Sequence, residues 1–134
     1  MIKKQTPNRK SWVTSQLRRL SMKWPPRGRA MKEGRRELPR KINKDGTPSK
    51  MINYEHQCKH CEKWFRAKEI ELDHTIPIVD VKYDGSLSDE DFIGRFATGL
   101  LCYEDNFQKL CIPCHTAKTD QEREIRINTK KSVK

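Results

Sequence analysis

Four of the five cysteines fall into two Cys-x-x-Cys pairs, Cys58/Cys61 and Cys111/Cys114, with 49 residues between the pairs. Two intervening residues let both sulfurs of a pair face one point, and four thiolates match the closed tetrahedral shell of a structural Zn²⁺. Unconnected thiols or a redox pair are the competing reading, and paired knuckles are far more specific than a lone one. Cys102 belongs to neither pair and reads as a small core residue. His56 and His60 flank the first knuckle and read as surface or turn residues, because four cysteines already fill the shell. The second knuckle carries one residue that a four-cysteine site does not need, His115, and Asp73-His74 offers a carboxylate and a second imidazole. Asp73 from a strand end and His115 from a helix start can together hold one divalent ion, which leaves His74 beside them as a base. That is the layout for metal-assisted hydrolysis of a phosphodiester. The alternative is that Asp73 and His74 are hydrogen-bonding residues at a strand end and His115 an ordinary residue at a helix start.

These groups need elements to carry them. Residues 68–73 alternate polar and apolar, the period-two pattern of a half-buried strand ending at His74, and the first knuckle leads into a strand. The run from Pro113 through 127 lacks breakers and predicts a helix starting near that proline. Between them, residues 80–105 form an acidic insertion, in which Ser88 caps a short helix opened by Asp89-Glu90-Asp91. Upstream, Trp12, Val13, Leu17, Leu20 and Trp24 recur near helical spacing over residues 11–23, and Pro25-Pro26 stops that helix. A second helix is expected over residues 29–38, ended by Pro39, and Lys44-Asp45-Gly46-Thr47-Pro48 is a turn and linker. Residues 1–10 are polar, patternless and expected to be disordered.

Composition explains why a metal would matter. Of 134 residues, 34% are hydrophobic and 35% charged, so no large core can form and a small domain of this kind needs a staple. No apolar run approaches the roughly 18 residues of a membrane span, and no signal-peptide pattern follows the basic start. The cysteines are therefore expected in a reducing compartment, as thiols or metal ligands. Residues 1–50 hold sixteen Lys and Arg against three acids, while residues 51–134 hold thirteen against fifteen. A cationic arm on a near-neutral domain is the footprint of a polyanion binder, with nucleic acid as the leading partner. A merely solvated tail or an acidic membrane surface is the alternative.

The chain resembles the HNH endonucleases with the ββα-metal fold. The resemblance rests on Cys58-x-x-Cys61, on Ile70-Glu71-Leu72-Asp73-His74-Thr75-Ile76-Pro77, on Asn106-Phe107-Gln108-Lys109-Leu110-Cys111-Ile112-Pro113-Cys114-His115, and on Lys118-Thr119. It implies that Asp73 and His115 ligate a catalytic metal, that His74 is the general base, and that Asn106 braces the loop orienting His74. Lys118 would contact phosphate, and the four cysteines match the zinc-stapled branch. Two departures stand out. The His74-to-Asn106 spacing is long for the family, and Thr119 occupies the position where some members carry a further His or Asn ligand. Two protein ligands would then be completed by water and phosphate, which favours an exchangeable Mg²⁺ or Mn²⁺.

The sequence thus predicts an α+β fold, a small ββα-metal domain stapled by zinc over residues 51–128, with a basic, partly helical DNA-binding arm over 1–50 and a basic tail over 129–134. Arg18, Arg19, Lys23, Arg27, Arg29, Arg35 and Arg36 are the arm's candidate phosphate contacts. The expected activity is metal-dependent hydrolysis of DNA, leaving by resemblance a 5′-phosphate and a 3′-hydroxyl. A zinc-stabilised DNA-binding or assembly module without catalysis is the alternative. Arg18-Arg19, Trp24-Pro25-Pro26-Arg27 and the acidic insertion further resemble small HNH proteins of tailed bacteriophages. That resemblance implies the cytoplasm of a bacterial host, and a homodimer or phage packaging or recombination proteins as partners.

Overall fold

The computed structural model describes residues 6–133; residues 1–5, half of the stretch expected to be disordered, and Lys134 lie outside the described residues. The chain runs α1 (Arg9–Ser21), α2 (Pro25–Lys32), β1 (Arg36–Glu37), β2 (Tyr54–Gln57), β3 (Trp64–Arg66), β4 (Ile70–His74), α3 (Asp89–Leu100), β5 (Phe107–Cys111) and α4 (Ile112–Val133), with 3₁₀ turns at Ala67–Glu69 and Glu104–Asn106. β1, β2 and β3 form one antiparallel sheet and β4 and β5 a second. This is a mixed α+β architecture, as expected. No helix among the described residues is long and apolar enough to cross a membrane.

Local chemistry sets the element ends. Asn8 caps α1 by accepting from the Ser11 amide at 3.1 Å, and Ser88 caps α3 by accepting from the Asp91 amide at 3.2 Å. Asp89, Glu90 and Asp91 place negative charge on the first turn of α3, where the helix dipole favours it. The Pro25-Pro26 pair acts differently from expectation. It ends α1 but also opens α2, because the first turn of a helix has no use for the missing N–H groups. The second helix therefore starts four residues earlier than predicted and stops at Lys32. Residues 67–69 curl into a 3₁₀ turn, so the predicted strand shortens at its start.

The apolar stripe of α1 splits. Val13 and Leu17 are half-buried, whereas Trp12 and Leu20 are each 64% exposed, and α1 packs on α3. Cations complete that contact, with Lys10 over the Phe92 ring and Arg18 over the Phe96 ring, each at 5.0 Å. The basic segment does not stand apart: α1 packs on α3, α2 on β5, and β1 pairs with β2.

The main core gathers around the cysteines. Cys58, Ile70, Leu110 and Cys111 are buried together, with Met31, Cys61, Phe65 and Cys114 packed against them. One face of this core is polar, and it corrects the expectation for His56. That residue lies in β2 and is only 4% exposed. Lys109 Nζ sits 3.2 Å from His56 Nδ1 and donates to the carbonyls of Met31 at 3.2 Å and Glu33 at 2.5 Å. An ammonium has three protons and here finds three acceptors, which fixes His56 as a neutral ring with Nδ1 accepting. Burial pushes the His56 pKa down, and the Lys109 charge pushes it further.

Candidate metal centres

The β2–β3 hairpin presents the first knuckle. The Cys58 amide donates to Lys63 O at 2.9 Å and the Glu62 amide to Cys58 O at 3.0 Å, so the chain reverses within five residues. The reversal puts Glu62 at φ 63°, the left-handed region that costs a side-chain-bearing residue about 1–2 kcal/mol. The Lys59 amide donates to Lys109 O at 2.8 Å, which ties the knuckle to β5. The second knuckle lies where β5 passes into α4, with Cys111 ending the strand and Cys114 in the first turn of the helix.

The four sulfurs meet. All four Sγ atoms lie within 4.8 Å of one another, and Cys61 Sγ is 3.8 Å from Cys111 Sγ. A tetrahedron with metal–sulfur bonds of about 2.3 Å sets its sulfurs about 3.8 Å apart, so the cluster fits an ion such as zinc. Burial opposes a thiolate at Cys58, yet the amides of Cys111, Cys61 and His60 outweigh it and bring its pKa down to about 6. Cys114 is pushed up to about 12 by its hydrogen bond to Cys111 and by burial. A cation at the centre would favour the thiolate form of the sulfurs that hold it. Cys102 stays apart from the cluster and is half-buried; its carbonyl accepts the Trp24 indole N–H at 2.6 Å.

The opposite end of the β4–β5 ladder carries the second group. Its register pairs Ile70 with Cys111 at one end and Asp73 with Gln108, then His74 with Phe107, at the other. Asp73 Oδ1 faces His115 Nε2 at 3.6 Å. Two ligand atoms about 2.1 Å from one ion lie roughly 3.0–4.2 Å apart, so this pair fits a shared divalent ion as far as two ligands can. Among the described residues only the four cysteines bring three or more such side chains together. Asp73 Oδ2 is held by Lys118 Nζ at 2.8 Å and Gln108 Nε2 at 3.0 Å, so Oδ1 is the oxygen that meets His115.

His74 packs its ring against Phe107, 4.9 Å between centroids, and Nε2 lies 3.4 Å from Leu100 O. A carbonyl only accepts, so Nε2 carries the proton and Nδ1 keeps the lone pair. Burial holds the His74 pKa below its ordinary value, with Arg27 and Lys118 adding to the effect against the carbonyl and Asp73. Asn106 clasps the chain just beyond: Oδ1 accepts from the Ile76 amide at 3.0 Å, Nδ2 donates to Ile76 O at 3.4 Å, and Asn106 O accepts from the Thr75 amide at 2.8 Å.

Lys118 was expected to face phosphate, and the protein gives it other partners. It bonds Asp73, Glu122 Oε1 at 2.7 Å and His74 O at 3.2 Å. Burial disfavours its charge, but the two carboxylates prevail and raise its pKa. His115, Lys118, Glu122 and Arg126 follow one another along one face of α4, and all four line a cleft of about 480 Å³ that also contains Asp73, His74, Arg18 and Arg27. Gln108, Glu122 and Arg126 were not foreseen. Helical spacing from His115 places the last two, whereas Gln108 needs the strand register.

The other candidate phosphate contacts scatter. Arg27 lies 6.0 Å above the Phe107 ring, Arg29 is ion-paired with Glu104, and Arg36 pairs with Glu55 at 2.9 Å while covering Trp64 at 4.1 Å. Arg35 stacks on Tyr54 at 3.6 Å, and Arg19 and Lys23 are exposed. Of the arm's candidates, only Arg18 and Arg27 join the cleft. Comparison with protein-family models, curated proteins and solved structures returns no match for this chain.

Proposed function

We propose that the chain is a metal-dependent endonuclease of the HNH type that hydrolyses phosphodiester bonds in DNA, with zinc in the cysteine cluster. The observation that carries this reading is the approach of Asp73 Oδ1 to His115 Nε2 at 3.6 Å beside a half-buried His74, in a cleft edged by Arg18, Arg27 and Arg126. The order β4–β5–α4, two antiparallel strands followed by a helix, is that of a ββα unit with α3 inserted in its hairpin.

Asp73 and His115 would hold the divalent ion, which when bound supplies positive charge to the scissile phosphate. His74 takes a proton from water at Nδ1, and the water oxygen forms the new bond to phosphorus. The bond from phosphorus to the 3′ oxygen breaks, and that oxygen leaves as a hydroxyl after protonation. A neutral imidazole is required for the first step, and the depressed pKa of His74 keeps it neutral at physiological pH. Asn106 fixes residues 75 and 76 and so the end of β4 that bears His74. Arg18, Arg27 and Arg126 supply the positive edge that draws in a phosphodiester.

A zinc-stabilised DNA-binding module without catalysis is the second reading, and one observation favours it: Lys118 and Gln108 already occupy Asp73 Oδ2. Supercoiled plasmid separates the two. Relaxation or linearisation that requires added Mg²⁺ or Mn²⁺ and is lost in Asp73→Asn and His115→Ala supports the nuclease; plasmid bound but uncut under every metal supports the module.

A further inference from the structure

A second basic groove lies away from the cleft. It has a volume of about 660 Å³ and takes Lys32 from α2, Arg35 from the following turn, Asn53 just before β2, Tyr54 at its start, Arg66 from β3 and Lys68 from the 3₁₀ turn. Four cations therefore edge one concavity, and no carboxylate lines it. Lys32, Arg66 and Lys68 are exposed, and among the described residues none of the three has an ion-pair partner. Arg29, Arg36 and Lys118, by comparison, each have a carboxylate. The Arg35 guanidinium carbon lies 3.6 Å from the Tyr54 ring centre, a contact that holds it in place without consuming its charge.

We propose that this groove is a second DNA-backbone site, which holds the duplex on one side of the cleft by phosphate contacts from Lys32, Arg35, Arg66 and Lys68. The choice of DNA rests on the nuclease reading above; the choice of a polyanion does not. Four cations drawn from separate segments suit successive phosphates along a strand and not one small anion. Location fits as well. The 3₁₀ turn bearing Lys68 opens β4, and Asp73-His74 closes it. Four strand steps of about 3.3 Å separate Ile70 from His74, roughly 13 Å. That equals about four base-pair steps at 3.4 Å, so one duplex can reach both places. α2 forms the wall between them, with Arg27 turned to the cleft and Lys32 to the groove.

The test is fluorescence anisotropy of the full chain with a labelled 20-base-pair duplex, without added divalent ion, across a salt series. Each phosphate contact contributes about 0.9 to the slope of log affinity against log salt. The triple variant Lys32→Gln/Arg66→Gln/Lys68→Gln should flatten the slope by about 2.7 and weaken binding at least tenfold at 0.1 M salt. Its melting temperature and zinc content should match wild type, because the three side chains are exposed. An unchanged slope on the long duplex overturns the inference, and so does a slope that changes only with single-stranded RNA. The two proposals fail separately. Plasmid that is never cut, with the slope still dependent on the three cations, removes the nuclease and keeps the groove; the reverse keeps the nuclease and removes the groove.

Discussion

The two ends of the β4–β5 ladder carry the same kind of chemistry, metal-ligand side chains, in opposite surroundings. At the Ile70–Cys111 end, the sulfurs converge among buried apolar neighbours, with Cys58 fully buried. At the His74–Phe107 end, Asp73 and His115 are partly open to solvent and are interleaved with Lys118, Glu122 and Gln108. A site that closes a core has no room for a substrate, and one that must admit a phosphate cannot also be the core. The difference teaches that ligand type alone does not assign a role. Enclosure does: a metal at the first end would supply folding free energy, and under the proposed nuclease reading one at the second would keep a coordination position free for chemistry.

The strongest way to break this contrast is to remove one ligand from each end. Cys58→Ser should abolish the folded protein, since a structural zinc contributes on the order of 10 kcal/mol, as much as the whole stability of a small domain. Circular dichroism and zinc content should fall together. Asp73→Asn should leave both unchanged within about 1 kcal/mol of unfolding free energy, while divalent-ion binding at the cleft is lost. A folded, zinc-free Cys58→Ser protein would show that the two ends do not differ in this way.

Next in size is the polar face of the core. Lys109→Met leaves the Met31 and Glu33 carbonyls and His56 Nδ1 without their donor, and should cost about 2–3 kcal/mol in denaturant unfolding. His56 also predicts an acid limb. Its folded pKa lies below the ordinary 6.5, so the unfolded chain binds the proton first. The stability it contributes is complete above about pH 6.5 and is lost as pH falls below that value, at no more than about 1.4 kcal/mol per pH unit. His56→Gln, which offers Lys109 an amide oxygen, should blunt the fall in melting temperature between pH 7 and pH 5. The smallest effect belongs to Glu62. Replacing it with glycine removes the left-handed strain in the knuckle and should stabilise by about 1 kcal/mol, provided the zinc is retained.

Much of this could be read from residue types and spacing. The Cys58/Cys61 and Cys111/Cys114 pairs do converge, Asp73, His74 and His115 do line one cleft, and Asn106, with 31 residues between it and His74, bonds the chain at Ile76. Short-range patterns carry such information, because a knuckle, a strand end and a helix start each fix side-chain direction locally. Long-range partners are not in those patterns. Gln108 meets Asp73 through the β4–β5 register, and the Lys109 that meets buried His56 arrives from β5, 53 residues later. Pro25-Pro26 illustrates a second limit: a proline pair is equally a stop for one helix and a start for the next, and Ala30 buried against the fold decides for the start. Aromatic rings and carboxylates meet several of the arm's arginines, contacts that its composition does not show.

His74 is where the account is tested most directly, through the rate of plasmid cleavage at saturating Mn²⁺ measured from pH 5 to pH 8 for the wild type and His74→Ala. The wild-type rate should be highest at neutral pH and fall as pH drops through a value below 6.5, as the buried imidazole takes up its proton. His74→Ala should be slower by about 10²-fold or more, without that acid limb, while binding DNA and metal as the wild type does. A His74→Ala protein that cuts plasmid at the wild-type rate, with the same fall at low pH, would contradict the assignment of His74 as the base.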